Sequence, residues 1–151
     1  AALDAPGVEE ATVVEIEPKV AEWNRTHLAP FSGHALDDPR TRLVLGDMFD
    51  YLKESDDLGG RPVPYDLIAL DTDNGPAWVV FEGNRALWGP QGLGRIRRRL
   101  APGGVAAFWS AHASPPFEVL LRKAFARVEV HPVRAAVSVV EDVVYLASPA
   151  D

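Results

Sequence analysis

The sequence predicts an α/β fold built on a doubly wound, mostly parallel sheet. Short apolar runs rich in β-branched residues recur along the chain and end at acidic or turn residues, which is typical of strands buried on both faces. Segments with helical periodicity separate the first four of these runs, and alternating strands and helices form parallel sheets. A length of 151 residues with 47% hydrophobic content fits a single domain, residues 1–151.

Six apolar runs are predicted to be strands. They are Ala11 to Glu17, Thr41 to Asp47, Tyr65 to Asp71, Gly104 to Ala111, Ala126 to Val133 and Glu141 to Ala147. The connection between the last two runs is too short for a parallel crossover, so these two strands should pair antiparallel. One antiparallel strand is therefore expected near the edge of the sheet.

Four helices are predicted, at Pro18 to Leu28, Met48 to Glu54, Pro90 to Leu100 and from Pro115 onward. Proline is favoured at the first helical position, and Ser114 can cap the last helix. The faces expected to point inward are Val20, Trp23 and His27; Leu93, Ile96 and Leu100; and Phe117, Leu120, Leu121 and Ala124. The loops are predicted at Ala29 to Arg40, Asp56 to Pro64 and Thr72 to Pro90.

Charge and composition exclude several classes of function. The formal net charge of −7 repels phosphate backbones and anionic lipid surfaces, so nucleic acid and membrane partners are not expected. With no cysteine, the chain has no disulfides, thiolate zinc sites or thiol nucleophiles. No apolar run approaches the roughly 20 residues of a membrane span, and the first residues do not resemble a leader. A cytoplasmic protein is expected.

Ligands of open parallel sheets bind outside the carboxyl ends of the strands, and the first three predicted strands end in acids. Glu15 or Glu17 suits a bidentate hold on ribose hydroxyls; a strand end and a helix cap are the alternative. Such a carboxylate follows a glycine-rich loop by about 20 residues, which places that loop upstream of Ala1. Asp47, after Gly46, can accept a hydrogen bond from an adenine-type amine or cap the next helix.

The loop Asp71-Thr72-Asp73-Asn74-Gly75-Pro76 has the densest chemistry in the chain. A calcium loop is disfavoured, because Gly75 and Pro76 occupy the positions of an oxygen ligand and an obligatory glycine. An Asp-x-Asp metal site, a general base acting on a substrate amine or hydroxyl, and simple turn chemistry stay open. The general base is favoured, and no metal is predicted.

Other candidate motifs favour structural roles. The glycines of Gly89 to Gly94 are preceded by no strand, so a helix start is expected rather than a phosphate loop. Arg95, Arg97, Arg98 and Arg99 are predicted to form a solvated helix face. The four histidines lack the spacing of metal ligands. Trp78 and Trp88 either line a substrate pocket or pack in the core.

Four segments together resemble the spermidine synthase family: VVEIEPKV from Val13, GDMFDYL from Gly46, YDLIALDTDNGPA from Tyr65 and LAPGGV from Leu100. The resemblance runs from the second strand of that family's fold to the end of the chain. It implies the Rossmann-like fold of class I S-adenosylmethionine-dependent methyltransferases. The family's amino-terminal domain, glycine loop and first strand are not in the chain; that strand is expected between the Ala11 and Tyr65 strands.

The resemblance also implies a reaction and roles for individual residues. Aminopropyl transfer from decarboxylated S-adenosylmethionine to a polyamine such as putrescine is expected, with S-adenosylmethionine itself as the other candidate co-substrate. Glu15 is placed at the ribose, Asp47 at the adenine, and Asp71 or Asp73 near the attacking amine. Gly46 and Met48 are further expected cofactor-binding residues. A small-molecule amine is the expected partner, and a homodimer is left open. A methyltransferase and a non-catalytic nucleoside-binding remnant are the alternatives.

Overall fold

A computed structural model describes residues 2–53, 64–72, 74–134 and 141–150. The chain divides into two compact units, Ala1–Tyr51 and Leu52–Asp151. Glu54, Asp73 and nearly all of the loop predicted at Asp56 to Pro64 lie outside the described residues. All six predicted strands form, most of them one or two residues shorter than predicted at the carboxyl end.

The first unit is built on a pair of parallel strands, β1 (Ala11–Glu15) and β2 (Thr41–Leu45). Their register pairs Ala11 with Thr41 and Glu15 with Leu45. Helix α1 (Pro18–Arg25) lies in the crossover between them, and α2 (Met48–Lys53) follows β2. α1 begins at the predicted proline, with Glu17 as its N-cap. A strand, a helix and a parallel strand in sequence are the unit that the alternating pattern predicts.

The inward face predicted for α1 is wrong. Ala21 is the buried residue of this helix, whereas Trp23 is 47% exposed and His27 is also exposed. The helix ends at Arg25, and its C-cap Thr26 has φ −124° and ψ −92°. Since the chain leaves helical geometry there, His27 does not continue the stripe that begins at Val20.

The second unit contains a four-stranded sheet in the order β3, β4, β6, β5. β3 (Tyr65–Leu70) runs parallel to β4 (Leu100–Ser110), while β6 (Asp142–Ser148) is antiparallel to both β4 and β5 (Arg127–Val133). β6 is therefore an antiparallel strand next to the edge strand β5, which confirms the predicted topology. β4 begins four residues earlier than predicted, and its register with β3 shifts between Tyr65 and Leu67.

Helices α3 (Pro90–Arg99) and α4 (Pro115–Ala124) supply much of the core of the second unit. The predicted inward residues Leu93, Ile96, Phe117 and Leu121 are at most 2% exposed. Four aromatic side chains form a buried cluster with ring centroids 5.3–6.2 Å apart and mostly edge-to-face contacts, a geometry that aromatic pairs prefer. They are Trp88, Phe108, Phe117 and Tyr145.

Arg99 departs from the prediction of a solvated arginine face. It is only 2% exposed, and its guanidinium carbon lies 5.5 Å from the centroid of the Tyr65 ring. Arg97 and Arg98 are exposed as predicted. Arg99 follows the buried Ile96 by three residues, so it lies on the apolar side of α3, and the Tyr65 ring provides a cation–π contact there.

Candidate functional site

Glu15 is the last residue of β1, at the carboxyl end of the two-stranded sheet. Its side chain is half-buried, and Oε1 accepts a hydrogen bond of 2.7 Å from the Glu17 N–H. Its main-chain carbonyl accepts the Gly46 N–H at 2.9 Å, which continues the β1–β2 ladder by one bond. Local backbone geometry therefore holds this carboxylate at the edge where ligands of parallel sheets bind.

Glu17 has a different place from Glu15. It is exposed, and its Oε1 accepts the Lys19 N–H at 2.9 Å as the N-cap of α1. A side-chain oxygen in this position satisfies one of the donors that every helix leaves unpaired in its first turn. Of the two candidates for a ribose contact, Glu17 has the structural role proposed as the alternative, and Glu15 remains the stronger candidate.

Asp47 follows β2 and caps α2. Its Oδ1 accepts the Phe49 N–H at 2.7 Å and the Asp50 N–H at 3.1 Å, and its carbonyl accepts the Tyr51 N–H at 2.9 Å. The alternative role of helix cap is thus present, and it employs Oδ1. A carboxylate has a second oxygen, so a capping aspartate can still accept a hydrogen bond from an exocyclic amine.

The four residues predicted to bind the nucleoside come together in the first unit. Glu15 pairs with Leu45, and Gly46, Asp47 and Met48 follow that residue directly. Adjacent strands lie about 4.8 Å apart, so both carboxylates extend from the same short edge. Their contacts to a nucleoside stay predictions.

The acidic loop follows β3 in the second unit. Asp71 is exposed, at the first position after the strand, and the second candidate base, Asp73, lies outside the described residues. The Asn74 carbonyl accepts the Ala111 N–H at 3.1 Å. This bond ties the acidic loop to the first residue after β4, and β3 and β4 are parallel neighbours. Asp71 therefore lies at the carboxyl edge of the four-stranded sheet.

Gly75 fits closely against the end of β4. Its φ is +111°, a conformation that side-chain-bearing residues rarely adopt. A Cβ added to Gly75 would overlap Ser110 Oγ and lie 2.8 Å from Ser110 Cβ. The sequence predicts a Gly-Pro turn here but does not reveal Ser110 as the surface beneath it, because the two residues are far apart in the chain.

Three other side chains near the acidic loop in the sequence differ in exposure and hydrogen bonding. Trp88 is 5% exposed and belongs to the aromatic cluster, so it packs in the core, which was one of its two predicted roles. Trp78, in contrast, is 59% exposed. The Thr72 Oγ1 and Trp88 Nε1 atoms are buried and have no hydrogen-bond partner within the described part of the chain. No cluster of three or more potential metal ligands occurs among the residues that the structure describes. Within the same ranges, no helix is long and apolar enough to cross a membrane.

Tyr145 is a buried tyrosine whose hydroxyl has a defined partner. It accepts the Ser114 N–H at 2.7 Å, and the ring is fully buried. Burial raises the pKa of the Tyr145 phenol, and the hydrogen bond from Ser114 opposes this effect. The phenol therefore stays neutral across the physiological range and acts as a neutral acceptor.

Comparison with known proteins identifies a domain that covers the acidic strand ends. The sequence model of the spermine/spermidine synthase domain matches residues 4–88, more than half of the chain. Polyamine aminopropyltransferase 2 of Pseudomonas aeruginosa is 33% identical over 109 residues, which is 70% of this chain and 28% of that protein. The polyamine aminopropyltransferase of Bacillus mycoides is 38% identical over 81 residues, 52% of this chain and 27% of that protein. The chain thus spans little more than a quarter of these curated relatives.

Solved structures share the fold. A spermidine synthase in complex with the transition-state analogue AdoDATO superposes with a TM-score of 0.74 at 20% identity, over 98% of this chain and 49% of that one. Human methyltransferase-like protein 13 in complex with SAH gives 0.69 at 21% identity, over 92% of this chain and 60% of that one. These similarities confirm the Rossmann-like methyltransferase fold that the sequence predicts.

Proposed function

This chain belongs to the spermine/spermidine synthase family, and from that premise we propose that it is part of a transferase that moves an aminopropyl group from decarboxylated S-adenosylmethionine to a polyamine such as putrescine. The observation that carries the proposal is the family match over residues 4–88, which includes Glu15, Asp47 and Asp71. Aminopropyltransferase relatives support the same reaction.

Glu15 and Asp47 have the proposed role of holding the nucleoside. Glu15 would accept hydrogen bonds from ribose hydroxyls, and Asp47 would accept one from the adenine amine while Oδ1 caps α2. Gly46 and Met48 flank Asp47 and would contact the base through their backbone or apolar surface. Hydrogen bonds to charged groups contribute about 1.5–3 kcal/mol each, enough to select an adenosyl compound.

Asp71 has the proposed role of general base, with Asp73 as the second candidate from the sequence. A protonated amine has no lone pair with which to attack carbon, so a carboxylate must accept its proton. The amine nitrogen then forms a bond to the propyl carbon, and the bond from that carbon to the sulfonium sulfur breaks with its electron pair staying on sulfur. Because methylthioadenosine leaves as a neutral thioether, the reaction needs no general acid.

The acidic character of the chain suits a cationic acceptor. A diamine carries two positive charges near neutral pH, and the net charge of −7 favours its approach. A small-molecule amine is thus the proposed partner, with no nucleic acid involved. A homodimer stays a prediction.

Methyl transfer is the second candidate, favoured by the TM-score of 0.69 to human methyltransferase-like protein 13. A methyltransferase needs the same hold on the adenosyl group but no carboxylate beside a dicationic acceptor. The acidic loop therefore distinguishes the two reactions.

A donor comparison tests the proposal. The protein is incubated with decarboxylated S-adenosylmethionine and putrescine, and separately with S-adenosylmethionine and a panel of methyl acceptors. We expect methylthioadenosine from the first mixture and no S-adenosylhomocysteine from the second. Product only in the second mixture would favour the methyltransferase; tight nucleoside binding without either product would favour a binding remnant.

A matched pair of variants then tests the base. Asp71→Asn should lower aminopropyl turnover about 100-fold, within the usual contribution of a general base. Asp66→Asn, which changes another exposed aspartate, on β3 itself, should leave turnover unchanged. Full activity of Asp71→Asn would move the base to another residue, with Asp73→Asn as the next variant.

A further inference from the structure

The connection between β4 and α4 is held at both of its ends. At its start, Ala111 donates its N–H to the Asn74 carbonyl of the acidic loop at 3.1 Å. At its end, Ser114 donates its N–H to the Tyr145 hydroxyl at 2.7 Å. Between them, Ser110 Oγ donates to the His112 carbonyl at 2.7 Å. Ala111, His112 and Ser114 are therefore held by hydrogen bonds to the acidic loop, to β4 and to β6, respectively.

Tyr145 is a rigid anchor for this connection. Its side chain is 0% exposed, and its ring contacts the Phe117 ring edge-to-face with centroids 5.4 Å apart. It is 31 residues from Ser114 in the chain, so the bond is a tertiary contact. A buried tyrosine hydroxyl without a partner is costly, and here the partner is a backbone group of the β4–α4 connection.

The bond lies at the start of α4. Ser114 is the N-cap of α4 and 7% exposed, and its side chain makes no capping bond. Its own N–H, a different donor from those that a capping side chain would accept, is satisfied by Tyr145 Oη. If that oxygen were removed, a buried N–H would lose its acceptor, and the connection would have to shift toward another one.

Any such shift would reach the acidic loop. Gly75 rests on Ser110 so closely that no Cβ can be accommodated between them, and Asn74 is bonded to Ala111. Asp71 lies three residues before Asn74.

We propose that Tyr145 is a positioning residue for Asp71, acting through residues 110–114 without touching the substrate. The inference rests on the proposed function, in which Asp71 is the general base. Misplacing a reacting group by about 1 Å can cost as much as 100-fold in rate, so a tether of this kind would matter for turnover while leaving nucleoside binding intact.

The first test reads the tether itself and needs no activity. Amide hydrogen exchange is measured by NMR in the wild type and in Tyr145→Phe, which keeps the ring and removes the hydroxyl. We expect the protection of the Ala111 amide to fall at least tenfold relative to amides in the β4–β6 ladder. Ile96→Val, a small truncation of a buried side chain on α3, controls for general destabilisation and should leave that ratio unchanged. Unchanged relative protection of Ala111 in Tyr145→Phe would overturn the proposal.

The second test is a double-mutant cycle on turnover. Tyr145→Phe should lower kcat about tenfold without changing KM for the donor, and should cause no further loss in an Asp71→Asn background. If Tyr145→Phe lowered kcat equally in both backgrounds, or did not lower it in the wild type, the role of Tyr145 would be refuted. The assignment of Asp71 as the base would not be affected by that result. If Asp71→Asn were itself fully active, the base assignment in the proposed function would fail, and the role of Tyr145 with it.

Discussion

The two units of the chain are stabilised in different ways. In the first unit, the buried apolar residues that the structure describes are Ala21, Ala29 and Tyr51. The second unit has an extensive core that includes Phe108, Phe117 and other side chains with almost no exposure. Apolar burial is the dominant favourable term in folding, so the second unit is expected to hold its geometry more firmly.

Polar contacts replace a core in part of the first unit. The Arg40 guanidinium donates to the Leu3 and Val8 carbonyls at 3.2 Å each and to both carboxylate oxygens of Asp38. It thereby joins the residues before β1 to the turn before β2. The carboxylates of Glu15 and Asp47 are held by backbone N–H groups only two or three residues away, whereas the proposed base belongs to the unit with the packed core.

Truncating one aromatic side chain in each unit should give the largest difference in stability between the two units. Phe117 is 2% exposed and Trp23 is 47% exposed. Phe117→Ala should cost about 3–5 kcal/mol, the usual range for a buried phenylalanine. Trp23→Ala should cost less than about 1 kcal/mol, as is typical of surface substitutions. Urea denaturation followed by circular dichroism measures both, and equal costs would show that the units do not differ in this way.

Two glycines with positive φ in the second unit should differ in how much an added Cβ destabilises the fold. Gly75 has φ +111° and no space for a Cβ, whereas Gly103 has φ +76° and no atom within 4 Å of an added Cβ. Gly75→Ala should therefore cost about 2–4 kcal/mol from backbone strain and overlap together. Gly103→Ala should cost about 1 kcal/mol from strain alone. Thermal unfolding compares the two variants. A similar loss of stability in both would mean that Ser110 moves away from the added Cβ at little cost.

Acid should weaken the hydrogen bonds between Arg40 and Asp38 in the first unit. Hydrogen bonds from Arg40 lower the pKa of Asp38 from 3.8 to about 2. Since the folded-state pKa lies below the unfolded one, the stabilisation is present above pH 3.8 and is lost as the pH falls through about 2. Thermal unfolding at pH 5, 3 and 2 should show this loss in the wild type and a smaller one in Asp38→Asn. An identical pH dependence in both proteins would remove Asp38 as its source.

Much of the fold could be predicted because its signals are local. Continuous apolar runs identified all six strands, and the periodicity of α3 and α4 identified their buried faces. The predicted inward face of α1 was wrong at His27 because nothing in the pattern shows that the helix ends at Arg25. The prediction of an exposed Arg99 was wrong because composition suggested a basic surface. Its spacing from Ile96 places it on the apolar side of α3.

The candidate site was predictable only where it follows the strand order. Glu15, Asp47 and Asp71 are strand-end acids, so the topology alone places them at carboxyl edges. Ser110 and Tyr145 were missed because their partners, Gly75 and Ser114, are more than 30 residues away in the chain. Only a folded structure shows that a serine lies beneath the Gly-Pro turn.

The most direct test of the division of roles is nucleoside affinity across three variants. Methylthioadenosine binding is measured by calorimetry for Glu15→Ala, Asp47→Ala and Asp71→Asn, with Glu9→Ala, an exposed acid just before β1, as the control. Loss of either nucleoside contact should weaken binding by about 1–3 kcal/mol, while Asp71→Asn and Glu9→Ala should bind like the wild type. Unchanged affinity in both alanine variants of the first unit, or a comparable loss in Asp71→Asn, would contradict the account.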